Sequence, residues 1–236
     1  MIRQRVHFIS IVALMLALFL VGCVNSRDLK PGRTVLPKKS LTIPAQIVGN
    51  QFIIETRWDK HGPWHFLVDT GSSVTLVSAD FANRYASDKA ALAAPSVHVK
   101  SADGTATVLP AVTIRRIELD DARFENVQAL ISDFSEISAH LGIKIDGVLG
   151  FPLFRETVFT LDYPQSRLVL TPTGPIPDPA FTQGTTIKFT NSQRTPFIPV
   201  RLGAENFVAL IDSGNDGPLL LNLIGLHPTF TYGPRG

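Results

Sequence analysis

The stretch His65-Phe66-Leu67-Val68-Asp69-Thr70-Gly71-Ser72-Ser73 decides the fold of this chain. An apolar run leads into an aspartate, which is followed at once by a hydroxyl residue and a glycine. A second stretch, Val208-Ala209-Leu210-Ile211-Asp212-Ser213-Gly214, repeats this arrangement. Each apolar run predicts a strand that places its carboxylate at the edge of a buried sheet. Two carboxylates held a few ångströms apart cannot both ionise, so such a pair would share one proton and could activate a water molecule.

The sequence before each aspartate is also repeated. In the first half, Phe52–Trp58, a turn and Phe66–Gly71 follow one another, and in the second half Phe197–Leu202, a turn and Ala209–Gly214 do the same. The repeat predicts two equivalent units, each a hairpin that ends in an aspartate. We therefore expect two similar halves that bring one carboxylate each to a common site.

Asp69 and Asp212 are the predicted catalytic residues. The hydroxyls that follow them can bond across to the opposite loop, and the glycines permit a sharp turn and a close approach of the partner backbone. The predicted active-site loops comprise Thr70, Gly71, Ser72, Ser213 and Gly214. An alternative for the second motif is a surface Asx turn, because Asn215 stands where the first half has Ser72.

Short β-rich runs bounded by Gly, Asp, Asn or Pro predict an all-β fold. The runs are Phe52–Trp58, Trp64–Val68, Val97–Lys100, Ala106–Leu109, Val112–Leu119, Val127–Ile131, Thr185–Phe189, Phe197–Leu202 and Phe207–Ile211. Helical patterns are confined to two short segments, Ser78–Ala86 and Asp133–Leu141.

The N-terminus predicts export. A basic start is followed by Phe8–Val21, 14 mostly apolar residues that suit a signal peptide and are too few to span a membrane. The run ends at Leu20-Val21-Gly22-Cys23, which resembles the lipobox of bacterial lipoproteins, and Cys23 is the sole cysteine. We expect a signal peptide over residues 1–22, lipidation of Cys23 and a polar tether over residues 23–40. An ordinary signal peptide or an uncleaved anchor is the alternative.

Composition excludes several other classes. The chain has 22 basic and 20 acidic residues, and the balance becomes 20 to 20 once Arg3 and Arg5 leave with the signal, so no nucleic-acid partner is expected. The six histidines lack the spacing of metal ligands, and we expect no metal and no other cofactor. A lipidated Cys23 would leave no thiol for disulfides, so a packed core must stabilise the fold.

Residues 41–171 resemble one repeat of a retropepsin-like aspartic protease of the pepsin clan, and its bacterial members most of all. The resemblance rests on Leu67-Val68-Asp69-Thr70-Gly71-Ser72-Ser73 and on Ile145-Asp146-Gly147-Val148-Leu149-Gly150. It implies an acid-protease barrel in which the second motif is a strand crossing beneath the Asp69 loop, followed by a short helix and a closing hairpin. It also implies a substrate-covering flap with Asp103 and Gly104 at its tip.

The predicted organisation is one complete lobe and one incomplete lobe. Residues 172–184 contain four prolines and predict a stiff linker, and residues 185–236 would form the second lobe. After Asp212 there are 24 residues, too few for a flap, a crossing strand and a closing hairpin. The chain would then be a shortened two-lobe protein, or a homodimer would pair Asp69 with its own mate across a two-fold axis.

The predicted function is that of an exported, lipid-anchored aspartic endopeptidase with peptide or protein substrates. Val24 follows Cys23, which by resemblance to sorting in Gram-negative bacteria favours the periplasmic face of the outer membrane, with the cell surface as the alternative. The competing interpretation is a non-catalytic lipoprotein that binds peptides at the site of Asp69 and Asp212 without cleaving them.

Overall fold

The computed structural model describes residues 24–25, 28–87, 96–100, 106–173, 185–190 and 194–215, with the backbone alone for residues 24, 25 and 100. The predicted signal peptide, Cys23, Asp103 and Gly104 lie outside these ranges. So do residues 174–184, most of the predicted linker. Within the ranges, no helix is long and apolar enough to cross a membrane.

Strands dominate the described residues, and the predicted all-β fold class is confirmed. The strands are β1 Val24–Asn25, β2 Arg33–Val35, β3 Leu41–Val48, β4 Gln51–Trp58, β5 His61–Asp69, β6 Thr75–Val77, β7 Ser96–Lys100, β8 Ala106–Leu119, β9 Ala122–Ile131, β10 Gly147–Gly150, β11 Thr157–Asp162, β12 Arg167–Pro172, β13 Phe197–Leu202 and β14 Glu205–Leu210. The helices are α1 Ala79–Tyr85, α2 Ser135–Leu141 and a 3₁₀ helix, Phe151–Phe154.

The first lobe is one continuous sheet. Its strands follow the order β1-β7-β8-β9-β6-β10-β5-β4-β3-β12-β11, with β2 paired to β9. Side chains alternate between the core and solvent, as in β3, where Leu41 and Ile43 point inward and Thr42 and Pro44 outward. β13 and β14 form a separate antiparallel pair.

The short strand β10 fixes the position of Asp69. It runs parallel to β5, with Gly150 opposite Asp69, and antiparallel to β6 on its other side. A Cβ on Gly150 would lie 2.7 Å from the carbonyl carbon of Val74, so only glycine lets the strand pass beneath the loop. The predicted crossing strand is therefore confirmed, as are the short helix after it and the hairpin formed by β11 and β12.

An aromatic cluster holds α1 on the sheet behind β5. Phe81 is fully buried and meets the rings of Trp58, Trp64 and Phe66 edge-on at centroid distances of 5.2–5.5 Å. Ser78 caps the helix by accepting a hydrogen bond from the Phe81 amide at 3.2 Å. The helix predicted over Ser78–Ala86 is confirmed, and both tryptophans pack against it.

Residues 28–35 belong to the predicted free tether, but the structure shows them packed against the first lobe. Leu29 is buried, β2 pairs with β9, and Lys30 exchanges hydrogen bonds with Gln128, donating to its side chain at 2.7 Å and accepting from its amide at 2.9 Å. Residues 28–35 thus lie along the first lobe. A polar sequence can do this because unpaired backbone groups at a strand edge are satisfied by almost any partner chain.

In the second half, β13 and β14 reproduce the hairpin predicted before Asp212. The strand predicted over Thr185–Phe189 is wrong, since these residues adopt no regular structure and Thr190 makes only an isolated bridge to Phe197. Ile187 and Phe189 are each about half exposed, at 52% and 51%. A β-rich sequence needs a neighbouring strand, and the described residues supply none there.

Candidate active site

The Asp69 loop begins where β5 leaves the core. The three residues before Asp69 are almost fully buried, so the carboxyl group stands at the inner edge of the sheet. Its Oδ1 accepts hydrogen bonds from the amides of Gly71 at 2.8 Å and Ser72 at 3.0 Å. The loop therefore points its own N–H groups at the acid that it carries.

The Asp212 loop has the same local form. Asp212 follows β14, and its Oδ1 accepts a hydrogen bond from the amide of Gly214 at 2.8 Å. The loop is also held from the first lobe, because the side chain of Gln51 donates to the carbonyl of Gly214 at 2.7 Å. The alternative of a surface Asx turn does not fit, since the second loop lies against the first.

Four reciprocal hydrogen bonds join the two loops. Thr70 donates its hydroxyl to the Ile211 carbonyl at 2.6 Å, and Ser213 donates its hydroxyl to the Val68 carbonyl at 2.7 Å. Each hydroxyl also accepts the amide of the other residue at 3.0 Å. Both side chains are buried, and each hydroxyl donates one hydrogen bond and accepts another inside the protein. This symmetric lock fixes the two aspartates relative to each other.

The glycines explain why the carboxyl groups can approach. A Cβ on Gly71 would lie 2.5 Å from the carboxyl oxygens of Asp212, and one on Gly214 would lie 2.6 Å from the carboxyl carbon of Asp69. Each glycine therefore provides the space that the opposite aspartate occupies. No larger residue fits at either position without displacing a carboxyl group.

The electrostatics follow from this packing. The pKa of Asp69 is raised from 3.8 to about 7 by burial, which is the largest cause, together with the charge of Asp212 and a hydrogen bond between the two side chains. The amides of Gly71 and Ser72 act in the opposite direction. Near neutral pH the pair therefore holds one proton, and its titration belongs to both residues together.

Two neighbours of the site were missed by the sequence analysis. Gln51 is buried at the start of β4 and reaches the Asp212 loop. Tyr163, in the turn between β11 and β12, packs edge-on against Phe52 at 5.2 Å, and burial together with the charge of Asp212 raises the pKa of its hydroxyl. Their only signal in the sequence was a polar or amphipathic residue beside an apolar run, which also describes many surface positions.

The structure brings together all seven predicted residues of the aspartates and their loops. The predicted flap tip and Cys23 lie outside the described residues, so their roles stay predictions. Because Asp212 of the same chain lies beside Asp69, pairing of two carboxylates requires no second copy. Within the described ranges, no group of three or more His, Cys, Asp or Glu is arranged to hold a metal ion.

The comparison with protein families gives a match over part of the chain. Residues 54–153 match the family model described as aspartyl protease. The predicted aspartic-protease relationship is confirmed at this level. A comparison with curated proteins finds no match.

Two solved structures are similar to parts of the chain. A retropepsin-like aspartic protease from Rickettsia conorii shares 16% identity at a TM-score of 0.33, over 60% of this chain and 95% of that one. Conglutin gamma, a basic 7S globulin from lupine seeds, shares 14% identity at a TM-score of 0.25, over 58% of this chain and 41% of that one.

Proposed function

We propose that this chain is an aspartic endopeptidase that hydrolyses peptide bonds with Asp69 and Asp212. The observation that carries the proposal is the pair of carboxyl groups, hydrogen-bonded to each other across two interlocked loops, with the pKa of Asp69 raised to about 7. The match of residues 54–153 to the aspartyl protease family supports it.

The chemistry needs both protonation states at once. The ionised carboxylate takes a proton from a water molecule while the water oxygen attacks the carbonyl carbon of the substrate. The protonated carboxyl group gives its proton to the carbonyl oxygen, so a neutral tetrahedral diol forms. The proton taken from water then passes to the amide nitrogen as the carbon–nitrogen bond breaks. One hydroxyl of the diol returns its proton to the other carboxylate as the new carboxylic acid forms, and the pair again holds one proton. Thr70 and Ser213 keep the two carboxyl groups aligned through these steps.

The protein is proposed to act outside the cytoplasm as a lipid-anchored chain. The support is the sequence alone: a basic start, a 14-residue apolar run and a single cysteine at Cys23. Replacement of Cys23 by Ser should abolish processing that is sensitive to globomycin. Unchanged processing in that variant would identify an ordinary signal peptide instead.

The peptidase proposal is tested with Asp69→Asn and Asp212→Asn, assayed on unfolded protein and peptide libraries. Either substitution removes the shared proton, so both should abolish cleavage. The matched control is Asp121→Asn, because Asp121 is an exposed aspartate in the turn between β8 and β9. Full activity in Asp69→Asn would remove the proposal.

A second candidate is a non-catalytic protein that binds peptides in the same groove. The observation in its favour is that the strand pair before Asp212 is poorly covered in the described residues, with Ile211 45% exposed. A pepstatin-type transition-state mimic separates the two functions. A working pair of carboxyl groups should bind the mimic and lose this affinity in Asp69→Asn, whereas a plain peptide groove would bind equally in both forms.

A further inference from the structure

The N-terminal segment is fastened to the first lobe at successive points. Lys30 both donates a hydrogen bond to Gln128 and accepts one from it. The guanidinium of Arg155 donates to the Gly32 carbonyl at 2.6 Å. Arg33 forms a salt bridge with Glu125 at 2.5 Å. β2 extends these contacts as a strand beside β9. The segment cannot swing away from the lobe without breaking all of them, so it fixes the direction in which the chain leaves the lobe.

The side chain of Leu29 packs the segment into the first lobe. It is 6% exposed and belongs to a cluster with Val74, Val97, Ala111 and Leu130. Val74 follows Asp69 by five residues, so the Cα atoms of these two residues lie within about 17 Å of each other. Val97 lies in β7, the strand that pairs with β8 in the hairpin predicted to carry the flap. Leu29 is therefore packed between the aspartate-bearing part of the lobe and this hairpin.

The segment then joins the hairpin itself. β1 pairs in parallel with β7, with Val24 opposite Val97 and Asn25 opposite His98. The residue before Val24 is Cys23, and a peptide bond places consecutive Cα atoms about 3.8 Å apart. A free tether over residues 24–40 would allow the lobe to stand up to about 60 Å from its anchor. The pairing of β1 reduces that reach to a few ångströms.

We propose that the lipid on Cys23 holds the β7–β8 hairpin against the bilayer, so that the active site cleaves polypeptide segments close to the membrane surface. This inference rests on the proposed function, both for the lipid anchor and for the peptidase activity. The outer face of the hairpin suits the contact, because Val108 of β8 is 50% exposed and apolar.

The geometry also sets the reach of the site. The chain of contacts from Val24 through Val97 and Val74 to Asp69 spans roughly 35 Å at most. An extended substrate covers that distance with about ten residues. The substrate class is therefore the membrane-proximal segment of an exported, membrane-bound protein, with the cleaved bond within about ten residues of the lipid.

The position of the β7–β8 hairpin at the bilayer is tested by fluorescence quenching, which does not depend on peptidase activity. The acylated full chain is reconstituted in phosphatidylethanolamine–phosphatidylglycerol vesicles that contain headgroup-proximal brominated lipid, with bimane on Val108→Cys or on Asp121→Cys. Acylation consumes the thiol of Cys23, so each introduced cysteine is the sole free thiol. Residue 121 is the matched control, because it follows the far end of β8, up to about 36 Å along the strand.

We expect the label at residue 108 to lose most of its fluorescence and the label at 121 to keep it. An insertion of about 20 Gly and Ser residues between Cys23 and Val24 should restore the fluorescence at 108. Equal quenching at the two positions, or quenching at 108 that survives the insertion, would overturn the placement. Absence of lipid on Cys23 by mass spectrometry would overturn it as well.

The substrate class is tested with one cleavable peptide attached to lipid through spacers of about 5, 10, 20 and 40 residues, and with the same peptide free in solution. The native-length chain should cleave the two short-spacer peptides about ten-fold faster than the longest, and the insertion should abolish this preference. An identical spacer profile in both chains would overturn the inference. If residue 108 is quenched but neither chain cleaves even the free peptide, the peptidase function and its substrate class fail, and the placement stands.

Discussion

The two aspartate loops have the same local geometry but very different surroundings. Phe66, Leu67 and Val68 before Asp69 are at most 4% exposed, and β5 is flanked by β4 and β10. Ile211 before Asp212 is 45% exposed, and β14 pairs only with β13 among the described residues. The motif itself is therefore sufficient for the loop, whereas the rigidity of each loop depends on the sheet around it.

The second loop is stabilised by contacts from the first lobe. The hydrogen bonds between Ser213 and the Thr70 loop have equivalents in both directions. The hydrogen bond from Gln51 to the Gly214 carbonyl has no equivalent from the second half to the first loop. When the two hairpins are aligned on Phe52 and Phe197, Gln51 corresponds to Pro196, which has no side-chain donor. The first lobe thus acts as the template on which the Asp212 loop is positioned.

The largest expected effect comes from the glycines. Gly71→Ala and Gly214→Ala each place a methyl group where the opposite carboxyl group lies, so either should reduce kcat by about 10²–10⁴-fold. Gly71→Ala should also lower the free energy of unfolding more, because its loop lies in a fully packed sheet and cannot relax. Steady-state kinetics and urea titration measure both effects. Equal losses of stability would mean that the two loops are equally constrained.

The pH dependence separates the shared proton from the fold. Activity should fall above pH 7, because the pair loses its proton there. The pKa of Asp69 is raised on folding from 3.8, so the folded chain binds this proton more tightly, and the free energy of unfolding should fall between about pH 4 and pH 7, by at most about 4 kcal/mol. Asp69→Asn should remove this dependence. A wild-type stability that is flat over this range would contradict the burial of a shared proton.

Loss of the hydrogen bonds made by the Thr70 hydroxyl should reduce activity less than the glycine substitutions do. Thr70→Val keeps the shape of the side chain but leaves the Ile211 carbonyl and the Ser213 amide without their partner, at a cost of about 1–3 kcal/mol. Thr70→Ser is the matched control, since it retains the hydroxyl. Urea unfolding measures the change, and activity should fall with it. Indistinguishable Val and Ser variants would show that the lock contributes little.

The smallest effect is expected at Gln51. Gln51→Leu removes one hydrogen bond to the Gly214 carbonyl and should cost about 0.5–1.5 kcal/mol. Because the bond reaches only the second loop, hydrogen exchange at the Gly214 amide should accelerate while exchange at the Gly71 amide stays constant. Acceleration at both amides would show that the two loops move as one unit.

The sequence predicted those parts of the molecule that depend on local pattern. An apolar run followed by Asp-Thr-Gly predicted the Asp69 loop from the residues themselves. The strand that crosses beneath the loop was implied by the family resemblance, and the structure shows the steric reason for glycine at position 150. The short helix was also predicted, over Ser78–Ala86, and the structure adds the cap that Ser78 supplies.

The features that the sequence did not predict share a different cause. Each depends on a contact, or on the absence of a contact, with residues distant in sequence. Leu29 lies in a polar stretch and becomes buried only because the first lobe offers a cluster to receive it. Thr185–Phe189 has a β-rich composition but no neighbouring strand in the described residues. Gln51 looks like a surface residue until the second loop lies beside it.

The most direct test of the shared proton is a carbon-13 NMR titration of the aspartate carboxyl groups. We expect a carboxyl transition of Asp69 near pH 7. In Asp212→Asn this transition should move to lower pH, because the charge and hydrogen bond of Asp212 are lost while the burial of Asp69 remains, and Asp121→Asn should leave it unchanged. Titration of Asp69 near its ordinary value of 3.8, unaffected by Asp212→Asn, would contradict it.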